Sequence, residues 1–489
     1  METLLNFVAT ANSYLADYIL IILLIGTGLF FTIKTKFVQI RCLGEGMRSV
    51  FGNIKLRGGK NESGLSSFQA LATAIAAQVG TGNIVGASGA ILVGGPGAIF
   101  WMWIIAFFGM ATIYAEAVLA QETRVTDKDG EVHGGPVYYI KKAFPNGFGT
   151  FLSVFFAIAI TLALGFMGSM VQSNSIAGAM ETVVDPNKAN ILFTIGGFNV
   201  TMTAAIVGAV IALVAAFIFI GGIQRIASVT EKLVPIMAVF FLLGGLVILC
   251  LRIKYIPATF GMIFKYAFTP SALIGGGIGA ALKTAISQGA KRGLFSNEAG
   301  MGSTPHAHAM ANVKKPHDQG VVAMIGVFID TFVVLTMTAL VVISSLYAGD
   351  GVLAGLSGNA YQAAVNGADA VVSKASAMQM AFTSVLPSSF GNFGNIFIAV
   401  CLLFFAFSTI LSWNFFGKLN VQYMFKNNMK VATIVYSIIA VLFIFTGSIL
   451  QNELVWELTD FFNYLMVIPN AIALIALSGL VVKASKSNK

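Results

Sequence analysis

Long apolar runs alternate with short polar stretches along the whole chain. Uninterrupted runs predict helices over residues 18–33, 99–120, 151–180, 200–220, 229–251, 321–346, 395–419, 431–449 and 455–482. Each is close to or beyond the roughly 17–25 apolar residues that a bilayer crossing takes. Two further runs are interrupted. Residues 68–93 carry Gln78, Gly80, Thr81, Gly82 and Asn83 at their centre. Each glycine costs a helix about 1 kcal/mol, and non-helical backbone at membrane depth survives only where it lines a cavity or is buried in protein. The polar centre therefore reads as an unwound segment that binds a ligand. The alternative is a glycine-rich crossing point packed on a neighbouring helix. No Gly-Lys-Ser/Thr follows, so a phosphate loop is excluded. Residues 271–289 are the second interrupted run, with Gly275, Gly276, Gly277 and Gly279. The expectation is eleven spans. Residues 255–270 read as an amphipathic surface segment, and 347–391 as a polar loop that caps a pocket.

Composition supports an all-α polytopic membrane protein of one integral domain. Of the 489 residues, 57% are hydrophobic and 10% charged, against about 25% charged in soluble proteins. The net charge of +9 is not a nucleic-acid signal, because the basic residues sit between apolar runs and set orientation. With Lys34, Lys36, Arg41, Arg48, Lys55, Arg57 and Lys60 on the cytoplasmic side, Lys141, Arg225, Lys291, Arg292, Lys314, Lys418 and the tail lysines Lys483, Lys486 and Lys489 fall there too. Lys188, Arg252, Lys254, Lys265 and Lys374 remain outside. The N-terminus is expected outside and the C-terminus inside, with the first span retained, since no cleavable leader is read. Without that span, ten remain, and the interrupted ones are the first and the sixth. This is the pattern of a 5+5 inverted repeat whose broken helices meet at mid-membrane. The expected units are an extra N-terminal helix at 18–33, a first repeat at 68–251 and a second at 271–482. Cys42, Cys250 and Cys401 have no metal spacing and imply neither a disulfide framework nor a zinc site.

Three blocks carry a specific resemblance. Residues 94–120, GGPGAIFWMWIIAFFGMATIYAEAVLA, resemble the signature of the alanine-or-glycine:cation symporter family, the sodium:alanine symporters. AAQVGTGNIVG at 76–86 and RGLFSNEAGMGSTPHAHA at 292–309 resemble further blocks of it. The resemblance implies a leucine-transporter-like fold in the cell membrane. It also implies uptake of small neutral amino acids (alanine, glycine), coupled to sodium and in some members to protons.

A zwitterionic amino acid needs donors for its carboxylate, and a restarting half-helix supplies them. The backbone NH groups of Thr81, Gly82 and Asn83 are the candidates, faced by the 275–279 segment with Gly277 and Ile278. Carbonyls around Ala76 to Val79 suit a small cation. Ser408 and Thr409 are adjacent hydroxyls in an apolar helix; alone they read as bonding the preceding turn. The resemblance places them on sodium, with the carbonyls of Phe405, Ala76 and Val79. Trp413 walls the pocket or is a packed aromatic, and the resemblance favours the pocket. Gln172 is the candidate ligand from a third helix. Asp330 lies deep in a span, where acids are costly; it carries a proton or stabilises the bundle. Glu116 and Lys283 are expected to pair in a gate. Asp460 is expected to be solvated or capping, and His306 and His308 to lie in a cytoplasmic loop without a third metal ligand. The glycine run leaves almost no side chain against the substrate, which suggests a pocket large enough for glutamine or asparagine. Proton coupling through Asp330 is the alternative to sodium. A membrane-embedded enzyme lacks a catalytic set, and a channel fits the sparse charges less well.

Overall fold

A computed structural model describes residues 2–52, 65–127, 130–195, 198–366, 370–450 and 452–486. Lys55, Arg57, Lys60 and Lys489 of the orientation argument lie outside the described residues. Among the described residues, nine helices are long and apolar enough to cross a membrane: Thr3–Lys34, Ala98–Thr123, Gly147–Val184, Met202–Ile220, Gly222–Leu251, Pro316–Leu346, Phe393–Met424, Lys426–Ile449 and Leu454–Ala476. The pair Ser67–Gln78 and Gly82–Gly94, bent by 45°, makes a tenth. The expected eleven is not reached on length and apolarity, because the helix Ile278–Asn297 carries Lys283, Lys291 and Arg292. That helix is nevertheless interior. A Cβ on its Gly289 would lie 2.6 Å from the side chain of Trp101, and a Cβ on Gly94 would lie 3.2 Å from the backbone of Ala285.

The first helix is longer than its apolar run suggests. It starts near the N-terminus, passes through a π-helical turn at Leu15–Leu20 and packs on Ala98–Thr123. A Cβ on Gly28 would sit 2.6 Å from the Phe108 side chain. The two β-hairpins, Val125–Thr126 with Val132–His133 and Ile191–Ile195 with Phe198–Thr201, only close connections between helices.

The polar segment expected to cap a pocket folds into the helices Gly358–Asn366 and Ala377–Val385. Tyr361 donates to Leu92 O at 2.7 Å and Gln362 Nε2 to Ile274 O at 2.8 Å, so this cap holds the end of the first broken helix. Below it, Arg252 donates to Ser344 O at 2.7 Å, to Ala348 O at 2.8 Å and to Asp350 at 2.6 Å. The Arg252 guanidinium holds the exposed Asp350 carboxyl below its ordinary value. The surface helix Ile256–Phe268 forms as expected and accepts the indole NH of Trp101 at Ala267 O, 3.0 Å away.

Its seat depends on Gly97, where a Cβ would fall 2.1 Å from the Tyr266 backbone. Backbone on both sides cannot rotate out of the way. Gly97→Ala should therefore destabilise the protein by about 1–3 kcal/mol, as overpacking does. The check is the melting temperature in detergent; an unchanged value would show that the two segments part freely.

Candidate functional site

The site begins at the first break. Ser66 caps the helix Ser67–Gln78 through a reciprocal bond pair with Gln69. Beyond Gln78 the chain turns out of the helix at Val79 (φ −83°, ψ 85°) and resumes at Gly82. Gly80 has no room for a side chain, since its Cβ would lie 2.4 Å from Thr409 Oγ1 and 3.2 Å from Gln172 Oε1. The polar residues thus sit where three helices meet.

On one side of this turn, Thr409 Oγ1 donates to Ala76 O at 2.8 Å and to Phe405 O at 3.0 Å. Ser408 Oγ donates to Phe405 O at 2.9 Å. Two hydroxyls therefore serve carbonyls of their own helix and of the broken one. Ala76, Phe405, Ser408 and Thr409 converge, and Val79 lies at the turn three residues after Ala76. On the other side, Gln172 Oε1 accepts the NH of Thr81 at 3.1 Å. Gln172 Nε2 and Thr81 Oγ1 are buried without a partner. Asn83 Oδ1 accepts the NH of Gly80 at 3.1 Å, and its amide donates to Asp330 Oδ1 at 2.6 Å.

The second break lies elsewhere than the glycine run suggests. Gly275 and Gly276 do interrupt the helix, both with φ of 79°. However, Ile278 is 72% exposed, and Cβ atoms on Gly276, Gly277 and Gly279 would meet nothing within 4 Å. Gly277 and Ile278 do not face the first break. The glycines form a surface turn after Pro270, where missing side chains leave no void. The interior break follows Asn297: Glu298 adopts φ 58°, Gly300 φ 91° and Gly302 φ 81°, and helix resumes at Pro305–Ala309. This segment touches the first break, because Gln78 Nε2 donates to Asn297 O at 2.8 Å and a Cβ on Gly82 would lie 3.1 Å from Ser296 Cα. The signal was available in NEAGMGSTP, with two glycines and a proline at the helix restart.

Three buried carboxylates surround this second break. Glu116 accepts the NH groups of Gly300 at 3.2 Å and Gly302 at 3.0 Å, and the amide of Asn470 at 2.6 Å. Glu298 accepts from Ser303 and, at 2.5 Å, from Trp413 Nε1. Asp330 accepts from Ser296 Oγ at 2.9 Å and Thr331 Oγ1 at 2.8 Å. Glu298 escaped the sequence reading because it lies in a run that looks like a polar loop.

Several expectations are corrected. Glu116 and Lys283 do not pair: Lys283 bonds Asp17 at 2.9 Å on the N-terminal helix, while Glu116 caps the interior break. Asp460 is neither solvated nor a cap but 3% exposed and 3.2 Å from Arg292. His306 and His308 are buried rather than in an open loop, His306 bonding Asn420 and His308 bonding Gln319, both at 2.8 Å. A cavity of about 460 Å³ is lined by Val85, Gly86, Arg292, Lys374, Trp456 and Asp460 among others. It places Arg292 and Lys291 at the same end as Lys374 rather than with the basic loops, because the helix continues past Gly289 to Asn297. Trp456, on the wall of this cavity, packs on Phe295 at 4.9 Å, and Phe295 packs in turn on Trp413 at 5.7 Å, whose indole bonds Glu298 of the second break.

Comparison with known proteins shows the family and the fold. A family model described as the sodium:alanine symporter family matches residues 1–489. The sodium/alanine symporter AgcS of Methanococcus maripaludis is 41% identical over 484 residues, covering 99% of this chain and 96% of that protein. The putative sodium/proton-dependent alanine carrier protein YrbD of Bacillus subtilis is 38% identical, covering 97% and 90%. The probable sodium/glutamine symporter GlnT of the same organism is 36% identical, covering 99% and 91%. Among solved structures, MhsT in complex with L-phenylalanine superposes with a TM-score of 0.56 at 14% identity, over 87% of this chain and 100% of that one, which shows a shared fold. On the match along its whole length, the chain belongs to the sodium:alanine symporter family.

Proposed function

We propose that this protein is a secondary symporter that moves a small neutral amino acid together with sodium across the cell membrane by alternating access. The observation that carries the substrate site is that Gln172 Nε2 and Thr81 Oγ1 are buried without a partner on facing sides of the first break, where Gln78 Oε1 is unpartnered too. A buried polar group without a partner costs about 1–3 kcal/mol, and a bound zwitterion supplies partners for Gln172 and Thr81. The half-helix that restarts at Gly82 offers the NH groups of Thr81, Gly82 and Asn83 to the carboxylate, those of Thr81 and Asn83 exchanging their present partners, Gln172 Oε1 and Gly80 O, for it. The cargo cation takes the carbonyls of Ala76, Val79 and Phe405 and the hydroxyls of Ser408 and Thr409. The hydroxyl hydrogens, which bond Phe405 and Ala76 here, rotate away to free the oxygens. Five neutral oxygens suit a small hard cation and let it leave again.

The basis for an enlarged pocket does not survive, since Gly276, Gly277 and Gly279 lie at the surface and Gly275 lies against Gly358. The bulky groups at the breaks are Phe295 and Trp413, with Phe295 Cδ1 3.1 Å from a Cβ on Gly82. This supports alanine and glycine over glutamine. The cavity lined by Arg292 and Asp460 is the vestibule, closed towards the breaks by the Trp456–Phe295 contact. We assign the N-terminus to the outside and the C-terminus to the cytoplasm, and the repeats to residues 68–251 and 271–482, the second opening with the broken pair Ile278–Asn297 and Pro305–Ala309. One observation favours proton coupling as the second reading: Asp330 is buried between both breaks, and its described partners Asn83, Ser296 and Thr331 are all neutral.

Uptake of labelled amino acids into proteoliposomes under sodium or proton gradients tests the reading. Sodium-driven uptake is expected for alanine and glycine, with glutamine weaker; glutamine equal to alanine would remove Phe295 and Trp413 from the specificity argument. Thr409→Val keeps shape but removes an oxygen, so it should raise the sodium concentration for half-maximal uptake about 10- to 100-fold, the equivalent of one hydrogen bond to a charged group. An unchanged sodium dependence would sink the assignment of Thr409. Asp330→Asn should spare sodium-driven uptake in a folded variant, whereas proton-only uptake lost with Asp330→Asn would establish the second reading.

A further inference from the structure

A second constellation lies away from the breaks, where the loop after the N-terminal helix meets the start of the helix Pro316–Val327. We infer that Cys42, Glu45 and His317 form a binding site for a divalent transition metal, with zinc as the best match. One ligand atom of each lies within 4.8 Å of the others. Cys42 occupies the bend between the short helix Val38–Arg41 and the helix Leu43–Phe51. Glu45 follows three residues later in the first turn of the latter, a spacing that puts both side chains on one face. His317 is in the first turn of Pro316–Val327. The two helices cannot drift apart cheaply. Gly46 seats the loop helix so closely that its Cβ would lie 2.7 Å from Ile325 Cγ1 and 2.8 Å from Val321 O.

The chemistry of the three groups is that of a metal site rather than of a surface ion pair. Thiolate, imidazole and carboxylate are the zinc donor set, and soft sulfur selects against magnesium and calcium. Cys42 and His317 are 5% and 1% exposed. The Glu45 side chain is 42% exposed and leaves a way in for an ion and for a water as fourth ligand. The imidazole is already oriented. Its Nδ1 lies 2.7 Å from the Tyr114 hydroxyl, and its Nε2 faces Glu45 Oε1 at 3.4 Å. Metal-bound histidines are held in this way by a group on their second nitrogen. Zinc bonds of about 2.0–2.3 Å put tetrahedral ligand atoms roughly 3.3–3.8 Å apart, so closing the present spread asks for a shift on the order of 1 Å, which the exposed Glu45 can supply. As the ion binds, the Cys42 thiol proton leaves to solvent. The chain separation hides the site: Glu45 and His317 are 272 residues apart.

The bound metal would staple the loop to the helix that continues to Asp330, and so would stabilise the fold. The test uses the full chain, stripped with chelator in detergent and titrated with Co²⁺. We expect binding of about one ion per chain with a thiolate-to-cobalt charge-transfer band in the near ultraviolet, displaced by Zn²⁺. Cys42→Ser should abolish the band and Cys250→Ser should leave it unchanged. Tyr114→Phe, which removes only the positioning hydroxyl, should weaken binding about 10- to 100-fold. Glu45→Gln, which keeps the size of the side chain and removes its charge, should weaken it too and cancel the rise in melting temperature that zinc gives the native chain. The other convergent set, Asp127, Glu131 and His133, has no sulfur and cannot give the band. Absence of the band at saturating cobalt, or a band that survives Cys42→Ser, would overturn the site and leave the Tyr114–His317–Glu45 contact as a plain hydrogen-bonded chain.

Discussion

Two stretches of broken backbone inside an apolar bundle need hydrogen-bond partners, and most of the polar architecture exists to provide them. Peptide groups left bare in such surroundings cost several kcal/mol each. The first break is satisfied partly by itself, through Gly80 NH to Gln78 O, and partly by Gln172 and Asn83. The second is satisfied by Glu116, which takes the NH groups of Gly300 and Gly302, and by Asn470, which donates to Gly300 O at 2.9 Å. The partners come largely from unbroken helices. Those helices are therefore fixed in register against the breaks, and a slide of one turn would orphan both ends of each bond.

This requirement explains what the sequence discloses and what it hides. The first break is legible because Gln78 to Asn83 interrupt a run that is otherwise wholly apolar. The second is not, because two signals compete. Four glycines at 275–279 are a stronger compositional interruption than Glu298–Thr304, yet they lie at the surface, where a turn needs no partners. The true break follows Lys291 and Arg292, whose charges make the segment look like the edge of a span. Those charges are tolerated because Arg292 meets Asp460 and stacks over Trp456 at 4.8 Å on the wall of a cavity. Ser408 and Thr409 were readable only through the family resemblance, since adjacent hydroxyls in an apolar helix ordinarily just bond the preceding turn. They do bond it, at Phe405 O, and what sets Thr409 apart is its reach to Ala76 on another helix. No pattern along the chain announces that reach.

The distribution of charge follows a similar logic. Glu116, Glu298 and Asp330 are buried around the second break, and the hydrogen bonds described for them come from donors. At the first break itself the chain offers backbone, amides and hydroxyls, and the acid that reaches it, Asp330, bonds Asn83 and not the carbonyls and hydroxyls around Ala76 and Thr409. A carboxylate directly on a cargo cation would hold it tightly in a low-dielectric interior, and a transporter must also release what it binds. With Glu116 and Glu298 bonded at the second break and Asp330 bonded to Asn83, Ser296 and Thr331, the proposed cation ligands are all neutral.

Coupling between the two proposed cargoes then has a physical basis in one residue. A Cβ on Gly80 would touch both Thr409 Oγ1 and Gln172 Oε1, so the proposed cation ligand and the proposed substrate ligand are separated by no more than the space that glycine leaves open. Thr409 reaches the backbone before the turn at Ala76, and Gln172 holds the backbone within it at Thr81. A cation that pulls on Ala76 and frees the Thr409 hydroxyl shifts the same turn that leads into Thr81, Gly82 and Asn83, the residues proposed to receive the carboxylate. Linkage makes the effect mutual: whatever the ion does for the affinity of the amino acid, the amino acid does for the ion. A helix that ran unbroken from Ser67 to Gly94 would have the same residues at the same spacing along the chain, but its carbonyls and NH groups would be spent on each other, with nothing left for either cargo.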